Sequence, residues 1–123
     1  MISDTRGNPK YSDEELESLI RREFPEETKQ VKVLIPSLND HFINGNRIKA
    51  AIIKLSEGKI SELAKRIEQA KQDPRDVVGY AEFPRQMACS RAELSRMDSG
   101  RLNSLKMADW KEYNEWRYQG KNT

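Results

Sequence analysis

Two apolar stripes at helical spacing, joined across a single glycine, constrain this chain more than any other feature. Ile48, Ala51, Ile52 and Leu55 fall at i, i+3, i+4 and i+7, and Ile60, Leu63, Ala64 and Ile67 repeat the spacing, with Ala70 continuing it. Residues so placed share one side of an α-helix, whereas a strand would scatter them over both faces. Gly58 stands where a left-handed C-terminal cap belongs. Two amphipathic helices on so short a link predict a central antiparallel helical hairpin.

Helix punctuation organises the rest. Ser12-Asp13-Glu14-Glu15 reads as a capping box, with Tyr11 and Leu16 as its hydrophobic staple and Leu16, Leu19, Ile20 and Phe24 as one apolar face. Glu26 to Ile35 reads as a second helix, with Val31, Leu34 and Ile35 inward and Pro36 as its stop. Residues 37–46 read as a loop carrying His41 and Phe42. Asp73 caps a further helix, with Pro74 at the first helical position, Val77, Val78 and Ala81 inward, and Phe83-Pro84 as its end. Ser90-Arg91-Ala92-Glu93 is another capping box. Asp98-Ser99-Gly100 reads as a break, Leu102 and Leu105 as one further turn, and Asp109-Trp110-Lys111-Glu112 as the opening of a terminal helix. No alternating apolar pattern occurs, so an all-α, compact bundle of five or more short helices is expected. The expected organisation is a flexible N-terminal arm over 1–10, a helical core domain over 11–85, and a C-terminal helical extension over 86–123 docked on that core.

Composition narrows the function. Of the 123 residues, 36% are hydrophobic and 34% charged, yet the net charge is only +2, which favours a small core under a mixed charged surface over disorder. Basic side chains number 14 against 15 acidic up to residue 84, and 8 against 5 beyond it, short of the basic stripe of a dedicated nucleic-acid binder. Cys89 is the only cysteine and His41 the only histidine, which removes disulfide frameworks, cysteine-rich zinc sites and most imidazole acid–base arrangements. No glycine-rich phosphate loop is present. No catalytic, metal or cofactor site is therefore expected, and Cys89 reads as a half-buried structural thiol. The first residues lack a signal-like apolar segment and no stretch nears the ~20 apolar residues of a membrane span, so a cytoplasmic chain without membrane contact is expected.

The span from Arg47 to Arg85 contains Ile52-Ile53-Lys54-Leu55-Ser56-Glu57-Gly58, then Asp73, Arg75-Asp76-Val77 and Ala81-Glu82-Phe83-Pro84-Arg85. It resembles small uncharacterised bacterial helical proteins that pair an ILKLxxG helix end with a DxRDV…AE[FY]PR segment. That resemblance implies a compact helical domain and carries over no activity.

Two clusters are candidate recognition surfaces. Arg75, Tyr80, Glu82 and Arg85 are the residues of the Asp73–Arg85 segment that capping and core packing leave unexplained. Trp110, Tyr113 and Trp116 form an aromatic stripe that either docks on the core or anchors a partner. A protein partner or self-association is the leading expectation. Nucleic-acid binding by a short helix pair comes second, drawing on the basic excess after residue 85, and a carboxylate–arginine metal-dependent enzyme comes third.

Overall fold

A computed structural model describes residues 10–35 and 45–119. The expected N-terminal arm falls almost wholly outside them, as do Pro36, His41 and Phe42. Eight helices, and no strand, occur among the described residues: α1 (Asp13–Glu23), α2 (Thr28–Leu34), α3 (Gly45–Ser56), α4 (Ile60–Gln72), α5 (Pro74–Glu82), α6 (Pro84–Met87), α7 (Arg91–Arg96) and α8 (Ser99–Arg117). The chain is all-α, as its spacing and caps require.

The caps at Ser12, Asp73 and Ser90 operate where they are written. The Ser12 hydroxyl accepts from the Glu15 amide at 3.0 Å, and the Asp73 carboxylate from the Asp76 amide at 3.3 Å, with Pro74 at the head of α5. Ser90 and Glu93 close a complete capping box at α7. The α3–α4 link runs through left-handed Glu57 (φ 52°) and Gly58 (φ 76°). A side chain at 58 would also meet the Glu23 carbonyl at 3.1 Å, so backbone angle and close approach both select glycine there.

The core gathers around α3, which packs against α1, α4 and α5. Because neighbours cover it on several sides, α3 is buried beyond its predicted stripe: Ala50 and Ile53 are as fully enclosed as Ala51 and Ile52, while Leu55 is only partly covered. Leu16, Leu19, Ile20, Phe24, Val31, Ile35, Leu63, Ile67, Ala70, Val77 and Ala81 join the cluster, with Ile48 of α3, Tyr11 and Tyr113. On α4 the buried line is Leu63, Ile67 and Ala70; Ala64, expected inward, is exposed, because its neighbours cover only a narrow strip of that helix. Ser56, buried at the end of α3, satisfies its hydroxyl by donating to the Ile52 carbonyl at 2.6 Å.

The C-terminal part departs most from expectation. In place of a short turn at Leu102–Leu105 and a new helix opened by Asp109, one 19-residue helix runs from Ser99 to Arg117. Asp98 is its cap, accepting from the Arg101 amide at 2.7 Å, and Gly100 lies inside the first turn without breaking it. The second half of α8 lies against α5 and α6. None of the described helices is long and apolar enough to cross a membrane.

Candidate recognition surface

At the junction of α5, α6 and α8, Phe83 ends α5 and Pro84 begins α6, whose N-cap position is held by Phe83, a side chain with no acceptor to offer. The free amides of α6 are met from α8. Asp109, with no exposure, accepts from the Arg85 amide (3.0 Å) and Arg85 Nη1 (3.1 Å) through Oδ1, and from the Gln86 amide (3.2 Å) and Gln86 Nε2 (3.1 Å) through Oδ2. The carboxylate is thus an N-cap supplied by a different helix, placed at the positive end of α6. Arg85 Nη2 also reaches Glu112 at 2.9 Å, and the two carboxylates hold the guanidinium firmly protonated. Lys54 approaches Glu112 at 3.9 Å from α3; burial pulls its ammonium pKa downward, and Glu112 and Asp109 oppose that shift.

Glu82 is directed inward as well. Its carboxylate takes both arms of Arg47, at 2.8 Å from Nε and 2.6 Å from Nη2, and only 7% of the residue is exposed. This bidentate pair joins α5 to α3. Gly79 admits α6 closely to the same helix: a side chain there would meet Met87 Sδ at 2.7 Å.

A third network ties the C-terminal end of α8 to the start of the described chain. The Tyr113 hydroxyl is hydrogen-bonded to that of Tyr11, and burial pushes the Tyr113 phenol pKa well upward. Arg117 donates to Glu15 (Nε 2.7 Å, Nη2 3.0 Å) and to the Lys10 carbonyl at 2.5 Å, with its guanidinium 4.1 Å from the Tyr11 ring centroid. Arg22 donates to the Arg117 and Gln119 carbonyls at 3.4 and 3.1 Å, placing a cation at the negative end of α8. Its guanidinium lies 5.0 Å from the Trp116 ring centroid, and that ring is tilted at 5.8 Å from Tyr113.

The seven candidate residues therefore separate. Glu82, Arg85 and Tyr113 are held by partners within the chain, and Trp116 is packed against the core. Arg75 and Tyr80 face solvent from α5, with Tyr80 44% exposed, and Trp110 is half-buried outside the core cluster.

A further surface was not anticipated in the sequence. No residue of α7 is buried, and neither is any in α8 before Asp109. Leu94, Met97, Leu102 and Leu105 are only half-covered there, Met107 is 39% exposed, and none belongs to the core. The signal was available: apolar residues over 91–107 are too sparse for the stripe that marks a docked helix. Arg91, Arg96 and Arg101 are exposed on this arm and join none of the ion pairs among the described residues. Cys89 is half-buried beside it. Among the described residues no three His, Cys, Asp or Glu side chains are grouped so as to hold a metal ion. No family model, no curated protein and no solved structure matches this chain.

Proposed function

We propose that the protein is a non-catalytic protein–protein interaction module acting in the cytoplasm. The observation that carries this reading is the arm formed by α7 and the first half of α8, whose apolar side chains are incompletely covered and lie outside the core. Half-covered apolar groups outside the core, set among charged side chains, favour a macromolecular contact. Tyr80 and Arg75 on α5 and Trp110 on α8 are accessible residues of the types that dominate binding hot spots. The test is crosslinked pull-down from native lysate with the unaltered protein, Leu102→Asp and Tyr80→Ala. Capture of a partner by the first and its loss by Leu102→Asp, with helicity unchanged, supports the reading. Failure to capture any partner, joined to turnover of a metabolite in a substrate panel, overturns it.

A second reading is favoured by one feature. Arg91, Arg96 and Arg101 stand exposed on the arm, and half-buried Trp110 follows it along α8, a combination that suits a single-stranded nucleic acid. Such binding weakens steeply with salt, and an electrophoretic shift absent even at low salt disposes of it.

A further inference from the structure

Lys54 projects from α3 toward α8, and its side chain is only 14% exposed. Its nearest counter-ion, Glu112, stands at 3.9 Å, beyond hydrogen-bond reach, and Lys54 Nζ makes no hydrogen bond among the described residues. An ammonium that has lost most of its water without gaining a hydrogen bond is poorly stabilised. The nitrogen is nevertheless not sealed: the described side-chain nitrogens that are both sealed and unpartnered are Arg22 Nη2 and Arg66 Nε. Around Lys54 stand Glu112 and Asp109 from α8, Glu57 from α3 and Arg85 from α6. Desolvation lowers the Lys54 pKa most, Arg85 adds to that, and the carboxylates oppose the shift without cancelling it. Arg85 is bonded to Asp109 and Glu112, yet its side chain is 42% exposed. An amine, a carboxylate and an arginine open to solvent thus share one small region.

We infer that Lys54 is an acyl-acceptor site, modified by a small acyl phosphate whose phosphate group rests against Arg85. This goes beyond the interaction reading and does not depend on it. A lysine nitrogen becomes a nucleophile where burial and a neighbouring cation disfavour its charged form. The product fits the site for the same reason: an amide is neutral, so the burial that penalises an ammonium does not penalise it. A carbonyl compound would leave a charged iminium instead, and a carbamate would set an anion beside Glu112 and Asp109. In the acyl transfer, Lys54 Nζ forms a bond to the carbonyl carbon. The bond from that carbon to the phosphate oxygen breaks, and phosphate leaves with the electron pair. The ammonium gives one proton to water before attack and a second, through Glu112, to the departing phosphate, which leaves as hydrogen phosphate. Acylation removes the α3 cation that faces Glu112, and Arg85 remains as the cation in its ion pairs.

The test incubates the native protein with acetyl phosphate and follows each lysine at low conversion by quantitative peptide mass spectrometry. Near neutral pH, Lys54 should acetylate at least about fivefold faster than exposed Lys29, Lys65 and Lys71. Its rate should rise with pH and level off at a lower pH than theirs, because the neutral amine reacts and burial lowers its pKa. Excess inorganic phosphate should slow Lys54 by competing at Arg85 and leave Lys29 unchanged. Glu112→Gln keeps an acceptor for Arg85 but removes the proton carrier, so the limiting rate at high pH should fall. The same substitution should move the levelling-off to still lower pH, since a carboxylate that opposed the shift is gone. A lysine with only a structural role would show neither response. Reaction at Lys54 no faster than at the exposed lysines overturns the site, and so does a rate that levels off together with theirs. Indifference to phosphate overturns the acyl phosphate as its donor.

Discussion

A carboxylate without exposure in the middle of a helix must find its donors beyond that helix, because the surrounding backbone amides are already committed. Asp109 finds them at the head of α6. Removing one partner of a buried charged network leaves the others desolvated and unmatched, which is costlier than never having built it. Asp109→Ala is expected to destabilise the fold by about 3 kcal/mol in urea denaturation, tempered because Arg85 can turn to water. Glu82 and Arg47 obey the same logic. Glu82→Ala should cost about 3 kcal/mol, whereas replacing both partners by leucine should recover most of the loss. Arg75→Ala and Tyr80→Ala, at exposed positions, should fall within about 0.5 kcal/mol of the parent. Denaturation of this set separates residues that build the fold from residues left free to bind.

At the scale of the element, helices are bounded by local chemistry but stabilised by what they pack against. Gly58→Ala puts a side chain on a left-handed residue 3.1 Å from the Glu23 carbonyl. It should lower stability by about 1–2 kcal/mol, read from the shift of the thermal midpoint. At α7 the Ser90 amide and hydroxyl lower the Glu93 pKa below the ordinary carboxylate value. A folded-state value below the unfolded one means that the cap's contribution is present above the unfolded pKa and lost as pH falls through the folded one. The Ser90 and Glu93 amide resonances should therefore move together in an acid titration, with α7 fraying below the lowered pKa. Global unfolding should be little affected by that fraying, because no residue of α7 is buried.

The whole molecule has an unequal distribution of stability. α3, enclosed by α1, α4 and α5, should exchange its amides only on global unfolding, while α7 and the first turns of α8 exchange through local opening. Tryptophan fluorescence reads the same contrast. With Trp110→Phe and Trp116→Phe isolating each emitter, iodide should quench Trp110 more strongly than Trp116, which sits against Tyr113 and beneath Arg22. Strong quenching of Trp116 would contradict the docking of the second half of α8.

The sequence by itself determined the helical class and most helix boundaries, because spacing, caps and prolines act within a turn or two of where they occur. Ser12, Asp73, Ser90 and the Phe83-Pro84 end are all legible in that way, and so are most inward residues of α1 to α5. What only the tertiary structure decided lies in pairs distant along the chain: Arg47 with Glu82, Glu15 with Arg117, Tyr11 with Tyr113. No local pattern marks such pairs, since each side chain alone resembles a solvated one. Asp109 joins the two cases. Its four-residue pattern with Glu112 carries the signature of a helix start, yet the cap it supplies belongs to α6, because folding brings those unsatisfied amides against the middle of α8.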